Sequence, residues 1–450
     1  MDDKENAQRK KTNKKALVAI LITVLMTVSF FLGYFTNFFA RGERNDKFDE
    51  IIKITDDYGI ASEDLSADDI AEALKNAILK NDKYAEYYTA EEYEAITKND
   101  AGQYVGFGFS VIFNNEGLSE DIKIGEILSV VWNSPAFNCG MKKGDVLIGG
   151  YVHETYFPFK TEDKTFAENF AEFYKEIEKD DEVTFIAERG EEEIRLTLKK
   201  EVYEASYVLY ADNQKGLKFA TVDGHVKGVE TDEAITALAD DSAYIKLTAF
   251  EGGAAKQFKE AIEFMKERGR TKLVLDLRDN GGGLLSVLSD IASYIINDND
   301  KSRILLMNVE EKNRKSQYYT SSNNFYKDLT AVSVIANYNT ASASECLLGA
   351  LIAYGNPDVY HGAAFSYSNL VITAKHPERN TYSTYGKGIM QTTYLLKSGG
   401  ALKLTTAKIY WPAGYASTCI HDVGVIQTDS KNQVKDEDAI SRAVEILAGY

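Results

Sequence analysis

A six-residue apolar run, Ala331-Val332-Ser333-Val334-Ile335-Ala336, leads into eight small and polar residues, Tyr338-Asn339-Thr340-Ala341-Ser342-Ala343-Ser344-Glu345. Cys346-Leu347-Leu348-Gly349-Ala350-Leu351-Ile352-Ala353 follows. The first run is short and β-branched and predicts a buried strand. The last is rich in Ala and Leu and predicts a helix. A small-residue turn between strand and helix holds a side chain at the mouth of a sheet. It also leaves unpaired N–H groups at the helix start, where negative charge is favoured. That geometry suits a nucleophilic serine beside an oxyanion hole. Taken by itself, the octapeptide reads more simply as capping, with Thr340, Ser342 and Ser344 at the helix start and Glu345 aiding the cap.

The surrounding pattern, from residue 201 onward, is α/β. Ala243-Tyr244-Ile245-Lys246-Leu247 predicts a strand, and residues 254–268 an amphipathic helix through Phe258, Ile262 and Met265. Lys272-Leu273-Val274-Leu275-Asp276-Leu277 predicts a buried strand that runs into Arg278-Asp279-Asn280-Gly281-Gly282-Gly283, with a helix over residues 284–296. This order implies a mostly parallel sheet with covered faces. Ligand chemistry in such sheets gathers at the carboxyl ends of the strands, so the glycine triplet and Ser342 can reach one site. A dinucleotide site also uses strand, glycines and helix, but the last glycine of that fingerprint is missing here.

Further on, Thr384-Tyr385-Gly386-Lys387-Gly388-Ile389-Met390-Gln391 adds a glycine-flanked lysine. The three segments, in this order, resemble the tail-specific, or carboxyl-terminal processing, serine peptidases. The resemblance runs from about residue 45 to the C-terminus and takes in residues 398–408, Pro412-Ala413-Gly414 and His421-Asp422-Val423-Gly424-Val425. It implies a serine–lysine dyad: Ser342 as nucleophile, Lys387 as general base and Gln391 orienting the lysine. It also implies an oxyanion hole from Gly282 or Gly283 together with Ala343, with Arg278 bracing the loop. A lysine serves as a base only when neutral, so burial must bring its pKa down from about 10.4.

Two departures from the family pattern stand out. The interval from Ser342 to Lys387 is longer than usual, with the excess over residues 365–383, either a surface loop or a lid. The usual Gly-Glu is His361-Gly362-Ala363, and Thr428 replaces the proline of a terminal Pro-Asp.

Residues 102–200 predict short strands and turns. Gly106-Phe107-Gly108-Phe109, then Ser134-Pro135-Ala136 and Gly144-Asp145-Val146-Leu147, resemble a PDZ domain. The Gly106, Phe107, Gly108, Phe109 loop would offer backbone N–H groups to a peptide's terminal carboxylate while the peptide adds a strand. Residues 45–98 predict helices, with a start at Ser66-Ala67-Asp68-Asp69. Arg9, Lys10, Lys11, Lys14 and Lys15 precede an uncharged run over residues 16–40. Its core matches the roughly 20 apolar residues that cross a bilayer, and the basic flank predicts a cytoplasmic tail.

The expected fold is therefore α/β: a ClpP/crotonase-like protease core (201–450) with an inserted-type PDZ domain (100–200) and an N-terminal helical region (45–98). An uncleaved transmembrane helix (16–40) and a cytoplasmic tail (1–15) precede them. A formal charge of −18 argues against a nucleic-acid partner. Cys139, Cys346 and Cys419 and five histidines carry no metal-ligand spacing, and no cofactor is expected. The expected function is a membrane-anchored extracytoplasmic serine endopeptidase acting on apolar C-terminal tails; the family further implies a homodimer paired through the terminal helices. The alternative is a catalytically silent, peptide-binding relative. A crotonase-like acyl-CoA enzyme shares a related core but accounts for neither the PDZ segment nor the export signal.

Overall fold

The computed structural model describes residues 67–450 except 81, 101–102, 114–122, 178–180, 223, 398 and 413–420. The apolar run over residues 16–40 lies outside the described residues. Among those described, no helix is long and apolar enough to cross a membrane. The chain divides into residues 1–77 and 78–450. In the first, the helix Ala67–Leu79 begins where the acidic Ala-Asp-Asp start predicts it.

The second unit is built on a seven-stranded sheet. Its order is His225–Thr231, Gly216–Val222, Val208–Ala211, Ser242–Leu247, Lys272–Asp276, Ala331–Ala336 and Leu370–Ile372. Only the last four strands are mutually parallel. The first three form an antiparallel meander, a correction to the mostly parallel sheet expected. The links between them are too short for the crossover that parallel neighbours need.

Strand side chains alternate between two cores, as the period of two requires. Leu273, Leu275, Val332 and Val334 face the helices Ala254–Glu267, Leu285–Ile295 and Ala343–Tyr354. Val274, Ala331, Ile335 and Val371 face Ala439, Ala443 and Leu447 of the last helix, Ala439–Leu447. Every residue of Ala331–Ala336 is buried, which explains its uninterrupted apolar sequence.

A second, antiparallel sheet runs Glu86–Tyr88, Ala401–Tyr410, Leu305–Glu311 and Lys315–Tyr319, with Ile389–Leu395 also paired to Ala401–Tyr410. Glu86–Tyr88 falls in the stretch expected to be helical. It is extended because its partner, over three hundred residues later in the chain, supplies the hydrogen bonds. Asp82 fastens the approach by accepting from the N–H and hydroxyl of Thr405 at 2.8 and 2.9 Å.

Residues 103–204 form a module with a core of its own, including Phe107, Ile127, Leu147, Phe159, Phe170, Phe173 and Phe185. A four-stranded antiparallel sheet (Thr155–Pro158, Val146–Val152, Glu182–Arg189, Glu192–Lys199) packs with the helix Phe166–Lys175. Thr165 and Glu168 start that helix with a reciprocal capping box. The segment 365–383 is not simply a loop. Leu370–Ile372 adds the parallel edge strand beside Ala331–Ala336, and all three of its residues are buried.

Candidate active site

Two loops leave the carboxyl ends of adjacent parallel strands and are stitched into one body. The Thr340 hydroxyl donates to the Leu277 carbonyl (2.9 Å) and accepts the Asn337 N–H (3.0 Å). Asn337 and Asn339 each donate a side-chain N–H to Asp279 Oδ1 at 2.8 Å. The Ala341 N–H and the Ser344 hydroxyl both reach the Asn280 carbonyl at 3.0 Å. Thr340 and Ser344 are thus loop ties, not helix caps. Arg278 holds Asp276 through Nε and Nη2 and reaches Asp436 through Nη1, so its bonds brace the strand end.

At the apex, Ser342 has φ 58° and ψ −116°. A non-glycine residue rarely adopts this conformation, and it persists only where its surroundings over-determine it. The Ala341 and Ala343 side chains are buried while Ser342 is half-buried. Gly282 lies against it: a Cβ there would stand 2.7 Å from Ser342 Cβ and 2.8 Å from the Ala343 nitrogen. Only glycine permits that approach. The Gly282 N–H already donates to Asn280 Oδ1 at 2.9 Å. Among the described hydrogen bonds none uses the N–H of Gly283 or Ala343. Cys346, one turn into the same helix, is no rival nucleophile, since complete burial pushes its thiol far up.

Glu345 joins this body to the lysine loop. Its Oε2 accepts the Ser342 N–H and the Lys387 N–H, each at 2.9 Å. Its Oε1 accepts the Gly386 N–H at 2.8 Å and the Thr384 hydroxyl at 2.5 Å. One buried carboxylate therefore sets the backbone of Ser342 against that of Lys387. Burial pushes the Glu345 carboxyl above the usual carboxylate range, and the four donors pull the other way. Sequence reading found Glu345 only as an aid to the helix cap. Three of its four partners lie about forty residues away, where no local pattern exposes them.

The Lys387 side chain is half-buried, with no ion-pair partner among the described residues. Burial, then the Lys403 charge, hold its pKa below the ordinary lysine value, against Glu86 and Glu345. Its Nζ lies 5.7 Å from the ring centroid of Tyr84, a residue the sequence reading passed over. Lys403 is itself paired with Glu86 at 2.9 Å. Gln391 sits at an irregularity in the strand Ile389–Leu395. Its buried Nε2 has no hydrogen-bond partner, and no described bond joins it to Lys387.

Gly106, Phe107, Gly108 and Phe109 lie in the 103–204 module. Gly106 pairs with Glu201, and Gly108 has φ 82°. The carbonyls of Phe107 and Gly108 accept the N–H groups of Ala136 and Val131. Lys200, beside this loop, places Nζ 5.9 Å from the Phe107 ring centroid and 4.0 Å from that of Tyr174. Burial lowers its pKa.

Residues 241–360 match the model of peptidase family S41, a span that includes the glycine loop and Ser342 and ends before Lys387. The chain is 27% identical over 384 residues to a "Probable CtpA-like serine protease" of Staphylococcus aureus (strain bovine RF122 / ET3-1), covering 83% of this chain and 63% of the relative. It therefore spans less than two thirds of that relative's length. A protein of the same description from Staphylococcus haemolyticus (strain JCSC1435) is 27% identical over 429 residues, 90% of this chain and 73% of the relative. Among solved structures, the photosystem II D1 C-terminal processing protease is 19% identical, covers 87% of this chain and 89% of its own, and has a TM-score of 0.46. Over residues 241–360 the chain thus matches peptidase family S41, and over most of its length it is similar to CtpA-like serine proteases.

Proposed function

We propose that the protein is a serine endopeptidase with a Ser342–Lys387 dyad, held to a membrane by residues 16–40 with residues 41–450 outside the cytoplasm. The observation that carries the dyad is the Glu345 carboxylate, which takes the N–H of both residues on one oxygen. Ser342 Oγ attacks the scissile carbonyl and its proton passes to the neutral Lys387 amine. The amides of Ala343 and Gly283 face the developing oxyanion, and Gly282 serves by close approach. The Lys387 ammonium then protonates the leaving amine, and the acyl group stays on Ser342. A water molecule, deprotonated by Lys387, releases it. Gln391, four residues beyond Lys387, is assigned to orienting the amine once substrate is bound.

The test uses the full chain in detergent with an unfolded protein that ends in apolar residues. Cleavage by the wild type and none by Ser342→Ala is the expected result. Equal cleavage by both would remove Ser342 from the mechanism. Binding without cleavage by either would leave a peptide-binding scaffold.

The 103–204 module is assigned the substrate's C-terminal tail, taken as an added strand with its carboxylate at residues 106–109. Lys200 then supplies a counter-charge. Lys200→Ala should weaken binding of a labelled apolar-tailed peptide about tenfold, and amidating the peptide's C-terminus should weaken it on wild type by a similar factor. Fluorescence anisotropy reads both, and unchanged binding in Lys200→Ala would dismiss the counter-charge.

A further inference from the structure

Part of the extra length between Ser342 and Lys387 folds into a small hairpin. Lys375 bridges Tyr382, and the His376 N–H donates to the Thr381 carbonyl at 2.7 Å. Buried His376 Nδ1 accepts the N–H groups of Glu378 and Arg379 at 3.3 and 3.4 Å, which shapes the tip. Its ring lies between Tyr338, in the turn before Ser342, and Tyr385, just before Gly386, at 6.4 and 6.2 Å. From the tip, Arg379 reaches back. Its Nη2 donates to the carbonyls of Thr384 (2.6 Å) and Tyr385 (3.0 Å) and to Ser383 Oγ (3.2 Å). Its Nη1 donates to the Asp422 carbonyl at 3.3 Å, and Asp422 in turn donates its N–H to the Gly386 carbonyl.

A trans peptide unit is flat, with its C=O and N–H pointing opposite ways. The unit joining Thr384 to Tyr385 is therefore gripped at both ends: Arg379 takes its carbonyl, and its N–H donates to the Thr340 carbonyl at 2.9 Å. The next unit is gripped likewise, with its carbonyl on Arg379 and the Gly386 N–H on Glu345. Two consecutive planes are locked immediately before Lys387. We propose that the hairpin over residues 375–382 is a brace for the lysine loop and that Arg379 is its positioning residue. It keeps the amides of Gly386 and Lys387 turned toward Glu345 and thereby sets where the lysine side chain begins. The extra length is neither a lid nor a passive surface loop. The catalytic half of this inference rests on Lys387 being the base; the structural half does not.

The test compares the full chain with Arg379→Ala and Arg379→Lys. Amide hydrogen exchange is read by mass spectrometry on peptides covering residues 383–389, and cleavage kinetics are read in parallel. In Arg379→Ala, exchange at 385–387 should speed up at least about tenfold while the strand Ala331–Ala336 keeps its protection. The kcat should fall about tenfold or more with KM within about twofold, because alignment is lost and not binding. Arg379→Lys, which offers one charged donor in place of the fork, should fall between the two. Wild-type exchange at 385–387 in both variants would overturn the brace whatever the kinetics. Faster exchange in a protein whose wild type shows no Ser342-dependent cleavage would uphold the brace and sink the proposed activity. Faster exchange with kcat unchanged in an active enzyme would overturn the positioning role.

Discussion

Lys387→Ala should lower kcat/KM on the order of 10³-fold or more, and Lys387→Arg should not restore it. Removing a general base costs on the order of 10²–10⁴, and more when it acts as a unit with its nucleophile. Arginine fills the space and keeps the charge but never gives up its proton, so it separates a basic role from a merely cationic one. The pH profile supplies the second half of this prediction. Burial and Lys403 lower the Lys387 pKa. The neutral, competent amine therefore accumulates as pH rises through a value below that of free lysine, and kcat/KM should climb and level off before the ordinary lysine range. Lys403→Met removes a repelling charge and frees Glu86, whose pull favours the ammonium. Both effects have the same sign, so the rising limb should move to higher pH. A limb that stays in place, or moves lower, would show that Lys387 is not the titrating base.

Glu345→Gln should lower kcat/KM at least about a hundredfold and destabilise the fold by about 2–4 kcal/mol. Each carboxylate oxygen accepts two donors. An amide can supply only one such oxygen. Facing Ser342 and Lys387, its NH₂ sets donor against donor and leaves two buried N–H groups unmatched; facing Thr384 and Gly386, the hydroxyl can turn and accept, but the Gly386 N–H is still unmatched. Either choice loosens the serine from the lysine loop. Urea unfolding and kinetics on the same preparation check both numbers. Wild-type activity in the variant would mean that the two loops hold their places without the carboxylate. Proton uptake does similar damage: with its pKa raised by burial, Glu345 should begin to protonate at a higher pH than an ordinary glutamate as the solution is acidified.

Local pattern revealed some of this architecture and concealed the rest for identifiable reasons. Ala331–Ala336 and Lys272–Asp276 are legible as short apolar runs buried on both faces, and the helices Ala254–Glu267 and Leu285–Ile295 because each buries a face whose period shows in the sequence. The strand Leu370–Ile372 is three residues long and has no period to read. Glu86–Tyr88 sits next to the helix Ala90–Asp100 and takes its form from a strand that no nearby residue announces. Ser342 and Lys387 were reached through motif resemblance, since a serine in a small-residue turn and a lysine between glycines are each commonplace. Glu345, Tyr84 and Arg379 were missed as site residues because everything that distinguishes them is tertiary: four donors on one carboxylate, a ring near an ammonium, one guanidinium nitrogen on two carbonyls.

The pairing of Glu86–Tyr88 with Ala401–Tyr410 also sets a timetable. Lys403 and Glu86 are 317 residues apart in the chain. The residues that bring Tyr84 to Lys387 are thus among the earliest of the second unit to be synthesised, and the strand they dock on is among the last. Long-range pairings of this kind close late in folding, after shorter loops have formed. The desolvated setting of Lys387 is then completed only once nearly the whole chain has been made. A chain made only as far as residue 400 would carry the serine turn, the glycine loop and Lys387 itself, but not the strand that brings Tyr84 to the lysine.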